Sequence, residues 1–168
     1  MIFTAFSDGS FDLGSRTVRC ALGKGGVVGA LDKREGDGAS PIGVWPMLRV
    51  LYRPDRGGPP ATAFPCASLR PNDGWCDAPG DPNYNRPVTH PYPASAERMW
   101  QDDSLYDVVV ILGHNDNPVV PGAGSAIFLH CARDDFATTE GCVALARGDL
   151  EALLTAAKPG DGVQIRRA

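Results

Sequence analysis

Long hydrophobic runs are missing from this chain. The longest purely aliphatic stretch is Val108–Leu112, far short of the roughly 20 apolar residues that a membrane-spanning helix needs. Histidine is scarce, with His90, His114 and His130 scattered along the sequence, and no Cys-x-x-Cys occurs. The ligand spacing of a structural zinc site is therefore missing, and no such metal site is expected. There is no Lys/Arg-rich stripe: 16 basic residues stand against 20 acidic ones, a net charge of −4. That balance argues against a nucleic-acid partner. Glycine shows no three-residue period, which excludes a collagen-like chain. The opening residues, MIFTAFSDGSFDLG, have no basic start and no long apolar core, so they do not read as an export signal. Either the protein stays where it is made, in the cytoplasm, or it is exported by a sequence outside this chain.

Turn formers and apolar residues are what the chain has in quantity. Twenty glycines and fifteen prolines accompany a hydrophobic content of 43% over 168 residues. Such a chain buries one core, suits a single domain spanning residues 1–168, and favours β structure with many ordered loops over a helical bundle. Alternating or clustered apolar residues predict strands at Ile2–Phe6, Arg16–Leu22, Gly26–Leu31 and Met47–Tyr52. KREGDGASPIGVWP, between the last two, reads as a glycine-rich loop. Arg53–Pro93 carries ten of the prolines together with Trp75, Tyr84 and Tyr92. It is too long for a passive connector, so an ordered insertion or binding wall is expected. Ser95–Leu105 predicts a short helix with Ser95 as N-cap. Tyr106–Gly113 and Ser125–Cys131 predict core strands. A second helix is expected near residues 149–157, ahead of a last strand in GVQIRR. The sum is a mostly β domain, a β-sandwich or curled mixed sheet with two short helices.

Five cysteines are present, at 20, 66, 76, 131 and 142. The odd count leaves at least one thiol free after any intramolecular pairing. Cys66 and Cys76, ten apart around a Pro/Gly loop, suit a disulfide if the protein is exported. Cys142 stands out because it follows Gly141 in TTEGCVAL, twelve residues after His130 ends a strand. Thiol catalysis needs an imidazole within hydrogen-bond reach of the sulfur. It also needs N–H donors for an oxyanion, and a glycine lets a substrate carbonyl approach the amides of Gly141 and Cys142. On residue types alone the plainer reading outweighs this one, since a cysteine after a glycine is usually a small core residue.

The motifs IFLH (Ile127–His130) and TEGCV (Thr139–Val143), with REGDGASPIGVW (Arg34–Trp45) upstream, resemble the YkuD-like L,D-transpeptidase family. The resemblance runs from about residue 16 to residue 154. It implies that Cys142 is the nucleophile, His130 the base, and Cys131, through its carbonyl or side chain, the group that orients the imidazole. The substrate it implies is the peptidoglycan stem peptide, with release of D-Ala and formation of a 3→3 cross-link. The alternatives are hydrolysis of the same bond, as in an L,D-carboxypeptidase, and a silent wall-binding module. It also implies a periplasmic or cell-envelope location. Two departures stand out: Glu140 occupies a position where the family commonly has His, and Ala144 one where it commonly has Arg. Both bear on substrate contacts more than on the nucleophile.

Other residues have two readings. Arg34, Glu35 and Asp37 line a cleft or form a solvated turn. Trp75, Cys76, Asp77, Tyr84, Asn85 and Arg86 form a wall that recognises the stem peptide, or Trp75 and Tyr84 simply pack a long loop onto the sheet. Thr139 and Glu140 are expected at the substrate. His114 reads better as a polar turn residue than as a second base. Nothing in the sequence speaks to the oligomeric state.

Overall fold

A computed structural model describes all 168 residues. An antiparallel meander opens the chain: β1 (Ile2–Phe6), β2 (Ser10–Asp12) and β3 (Thr17–Ala21). Next come β4 (Val27–Gly29), the long β5 (Ser40–Tyr52), β6 (Cys66–Ser68), β7 (Asp73–Cys76), β8 (Pro87–Thr89) and β9 (Ala96–Arg98). β10 (Val108–Leu112), β11 (Phe128–Cys131), β12 (Val143–Leu145), the helix α1 (Arg147–Ala156) and β13 (Gly162–Arg166) complete it. The main sheet runs β10-β11-β12-β3-β2-β1-β13-β5, and β5 pairs back onto β10, so the sheet closes on itself like a barrel. β4 and β6 add to β5 in parallel. β1 with β13 and β11 with β12 are also parallel pairs. A second antiparallel sheet, β8-β7-β9, lies outside the ring.

The period-2 alternation of strand side chains sorts the apolar residues into two layers. Phe3, Phe11, Val50, Val110, Leu129 and Ile165 fill the closed sheet, together with Leu150, Leu153 and Leu154 of α1. Burial of each such leucine contributes about 1.5–3 kcal/mol. The odd residues of β10 and the even residues of β11 face the other way. Val109, Ile111 and Phe128 meet Trp75 and Met99 from the second sheet. The wholly buried VVVIL of β10 is the wall between the two layers.

The structure corrects three expectations. Of the two architectures expected, the mixed sheet curls and closes on itself rather than forming a sandwich. Only one helix forms. Ser95–Leu105 instead contributes β9, whose Glu97 pairs with Trp75 of β7, followed by turns. A helix there would need an apolar stripe, but Met99, Trp100 and Leu105 are separated by Asp102 and Asp103 on the turn between them. Residues 40–46, read as loop, are the first half of β5. Pro46 is accommodated because its carbonyl accepts from Gly113 N–H at 2.9 Å while its missing N–H is no loss at a strand irregularity. All five cysteines are free thiols, Cys66 and Cys76 included. No helix is long and apolar enough to cross a membrane.

Candidate active site

β11 and β12 lie side by side in parallel, with Leu129 opposite Val143 and His130 opposite Ala144. Leu129, Cys131, Val143 and Leu145 point into the closed sheet. Alternation therefore turns Phe128, His130, Cys142 and Ala144 to the outer face. There His130 and Cys142 line one cavity of about 480 Å³. The thiol's own hydrogen bonds are to main chain. It donates to the Ala126 carbonyl at 3.1 Å and accepts from Phe128 N–H at 3.3 Å. The imidazole is not among its partners.

The ring of His130 is held from behind. Its Nδ1 lies 2.8 Å from the Cys131 carbonyl. A carbonyl only accepts, so Nδ1 carries the proton and Nε2 is the nitrogen left with a lone pair for the cavity. Tyr106 stacks edge-on at 5.3 Å, one link in an aromatic row of Trp75, Phe128, Tyr106 and His130. Burial dominates the titration of both groups. It pushes the Cys142 thiol up to about 12, with help from the negative charge of Glu97. It pulls the His130 imidazole down to about 4, against the opposing pull of the Cys131 carbonyl. Desolvation favours the neutral form of each. The resting pair is thiol and imidazole rather than thiolate and imidazolium.

The turn that delivers Cys142 is tied on three sides. Thr139 Oγ1 accepts from Gly141 N–H at 3.1 Å and donates to the Cys142 carbonyl at 2.7 Å. Thr139 N–H donates to Leu22 and its carbonyl accepts from Lys24. Ser40 Oγ, at the start of β5, takes the Gly23 N–H at 2.9 Å and reaches the Cys142 carbonyl at 3.4 Å. Gly141 itself sits at φ +131°, where a Cβ would stand 2.9 Å from the Ala39 carbonyl oxygen. Only glycine fits that backbone and that gap. Its amide is committed to Thr139, whereas the N–H of Cys142 enters no turn or loop hydrogen bond. Of the two amides expected at an oxyanion, Cys142's is the free one.

Carboxylates dominate the rest of the cavity. Glu35 accepts from Tyr84 Oη and from Ser125 Oγ, the latter at 2.7 Å, which fastens the glycine-rich loop to the β10–β11 connection. Glu97 accepts from Tyr106 Oη at 2.6 Å. Burial lifts its carboxyl to about 7, opposed by the Tyr106 hydroxyl and assisted by the charges of Asp77 and Glu35. Asp77 Oδ1 is buried without a partner. The one arginine of the lining, Arg133, pairs with Asp103 at 3.2 Å, and Glu140 on the rim pairs with Lys24 at 2.8 Å.

The structure gathers His130, Cys142, Thr139 and Glu140 at the cavity and leaves several other candidates outside it. Trp75 and Tyr84 are buried, Trp75 against Phe128 and Tyr84 under Glu35. Arg34 folds back onto the carbonyls of Leu31 and Lys33, and Arg86 pairs with Asp116 at 2.9 Å. Asn85 is a buried bracket. Its Oδ1 accepts from Trp75 Nε1 at 2.9 Å and Ala126 N–H at 3.0 Å, and its Nδ2 donates to Asn115 O at 2.8 Å. His114, also buried, bonds Ala123 O through Nε2 and stacks on Trp45. Asp77, a wall candidate from the sequence, lines the site, and so do Glu97 and Tyr106, which nothing in the sequence singled out. Their neighbours in sequence have no pattern that distinguishes a cavity wall from an ordinary hairpin.

Residues 3–165 match the family model of the YkuD L,D-transpeptidase catalytic domain. No curated protein matched the sequence.

Proposed function

The chain belongs to the YkuD family of L,D-transpeptidase catalytic domains, and from that membership we propose that Cys142 is the nucleophile and His130 its general base in acyl transfer on peptidoglycan stem peptides. The observation that carries the reading is that both side chains line one cavity, His130 from β11 and Cys142 from the residue that leads into its parallel neighbour β12. Nε2 of His130 takes the thiol proton as the sulfur exchanges its bond to Ala126 for the imidazole. Catalytic hydrogen bonds often tighten only when substrate is bound. The sulfur attacks the carbonyl between the L-centre of the diamino acid and the terminal D-Ala. The N–H of Cys142 receives the developing oxyanion. His130 returns its proton to the departing amine, D-Ala leaves, and a thioester remains. An amine from a second stem then resolves it to a 3→3 cross-link. Water at the same step gives the tripeptide of an L,D-carboxypeptidase. Such a substrate places the working protein in the cell envelope.

A carbapenem supplies the test, because its acyl adduct has a known mass. The expected result is one adduct on Cys142, absent from Cys142→Ala. No adduct on the parent chain, or an equal one on the variant, overturns the reading. With a disaccharide tetrapeptide, a dimeric product supports transfer and tripeptide alone supports hydrolysis.

A further inference from the structure

Resolution of a thioester by an amine poses a proton problem that hydrolysis does not. A side-chain amine reaches the site as an ammonium ion at neutral pH. It must lose one proton to become a nucleophile and a second when the new amide forms. A neutral His130 accepts only one of them. The cavity holds a further carboxylate: Glu97, on β9, lines the same space as Cys142. Its negative charge helps to hold that thiol protonated. Its other oxygen contact is fixed, since Oε1 accepts from Tyr106 Oη at 2.6 Å. Tyr106 in turn stacks on the His130 ring.

The charge balance points the same way. Asp103 and Glu140 have cationic partners in Arg133 and Lys24, but Glu35, Asp77 and Glu97 have none. Glu35 and Glu97 accept only neutral hydroxyls, and Asp77 Oδ1 is buried with nothing bound to it. An arriving ammonium group supplies the missing cation.

We infer that Glu97 is the proton acceptor for the incoming ammonium of the acyl acceptor, with Asp77 helping to hold that ammonium at the cavity wall. The inference rests on the acyl-transfer reading given above. The steps balance. Glu97 takes the first proton, and the amine nitrogen attacks the thioester carbonyl. Next the tetrahedral intermediate gives its second proton to His130. The C–S bond breaks, His130 reprotonates the sulfur, and Glu97 releases its proton to solvent. Glu97 therefore sets the partition between amine and water as acceptors.

The test compares two acceptors on the carbapenem-free acyl-enzyme formed from a stem tetrapeptide: a stem-peptide amine, which must be deprotonated, and hydroxylamine, which is already largely neutral at pH 7. Glu97→Gln is expected to cut transfer to the stem amine about 100-fold relative to transfer to hydroxylamine. Equal losses for both acceptors, or no loss, overturn the inference. The parent chain gives a second readout that needs no variant. Its ratio of stem-amine to hydroxylamine transfer should rise as Glu97 ionises and then level off. A ratio that climbs about tenfold per pH unit all the way to the pKa of the amine overturns the inference. If the parent chain forms no acyl-enzyme at all, the acyl-transfer reading has failed and takes this one with it. A parent that acylates but shows neither effect refutes Glu97 alone.

Discussion

The thiol of Cys142 donates to the carbonyl of Ala126 at 3.1 Å, and Ala126 is in turn held through its N–H by the side chain of Asn85. Ala126 adopts φ +53° and Asn85 φ +55°, a left-handed conformation that an alanine occupies only when its surroundings enforce it. The sulfur is thus positioned by a bracket from a distant loop as well as by its own strand.

Removing that bracket should be felt twice. Asn85→Ala leaves the Trp75 indole N–H, the Ala126 N–H and the Asn115 carbonyl without their partner. Each buried group left unpaired costs about 1–3 kcal/mol. We expect a loss of several kcal/mol in urea unfolding, about 2–5 in all, and slower carbapenem acylation in the protein that remains folded. Unchanged stability would refute the bracket.

Cys142 should not behave as a preformed thiolate in the resting protein. Because burial raises the Cys142 thiol to about 12 and lowers His130 to about 4, the thiolate fraction is small at pH 7 and grows with pH. Iodoacetamide labelling of Cys142, followed by peptide mass, should accelerate steadily from pH 6 to pH 9. A flat rate across that range would show an ion pair instead.

Acid should destabilise the fold through the same histidine. The folded-state pKa of His130 lies below its ordinary value of 6.5, so the unfolded chain binds the proton more readily. The associated stability is complete above pH 6.5 and is lost as pH falls toward 4. Linkage sets the loss at about 3 kcal/mol. His114, lowered by burial as well, adds to the slope in the same direction. Urea midpoints measured from pH 7 to pH 4 should fall less steeply in His130→Asn. An identical slope would assign the acid sensitivity elsewhere.

Two glycines should respond oppositely to alanine. Gly141→Ala places a Cβ 2.9 Å from the Ala39 carbonyl oxygen and 3.3 Å from Ile127 Cδ1, at a positive φ. A cost of about 2 kcal/mol or more and loss of acylation are expected. At Gly148, in the first turn of α1, an added Cβ would meet nothing within 4 Å. Gly148→Ala should stabilise by about 0.5–1 kcal/mol. Thermal unfolding of the pair settles both signs.

Much of this was legible from local pattern. β1 reads from alternating IFTAF, and β10 from its β-branched run. His130 and Cys142 stood out only through the resemblance of IFLH and TEGCV to a known family, since on residue types alone a cysteine after a glycine reads as core. Residues 40–46 and 95–105 misled for physical reasons. Proline and glycine within β5 imitate a loop, and Ser95 imitates a helix cap where pairing with β7 decides the backbone. Glu97 and Tyr106 were hidden because they join the cavity only after the outer sheet docks on β10 and β11. That docking is a long-range event to which no residue's neighbours in sequence testify.

The parallel pairing of β11 with β12 has a consequence for how this protein can change. Parallel neighbours cannot be joined by a tight turn, so the chain must travel back along the sheet between Cys131 and Val143. That return path supplies Arg133, Ala137, Thr138, Thr139 and Glu140 to the cavity, while the ladder sets His130 opposite Ala144, two residues past Cys142. Changes of length or sequence within residues 132–138 would thus alter the cavity lining while leaving the pairing of β11 with β12 in place. Lining and ladder are separable stretches of one short segment.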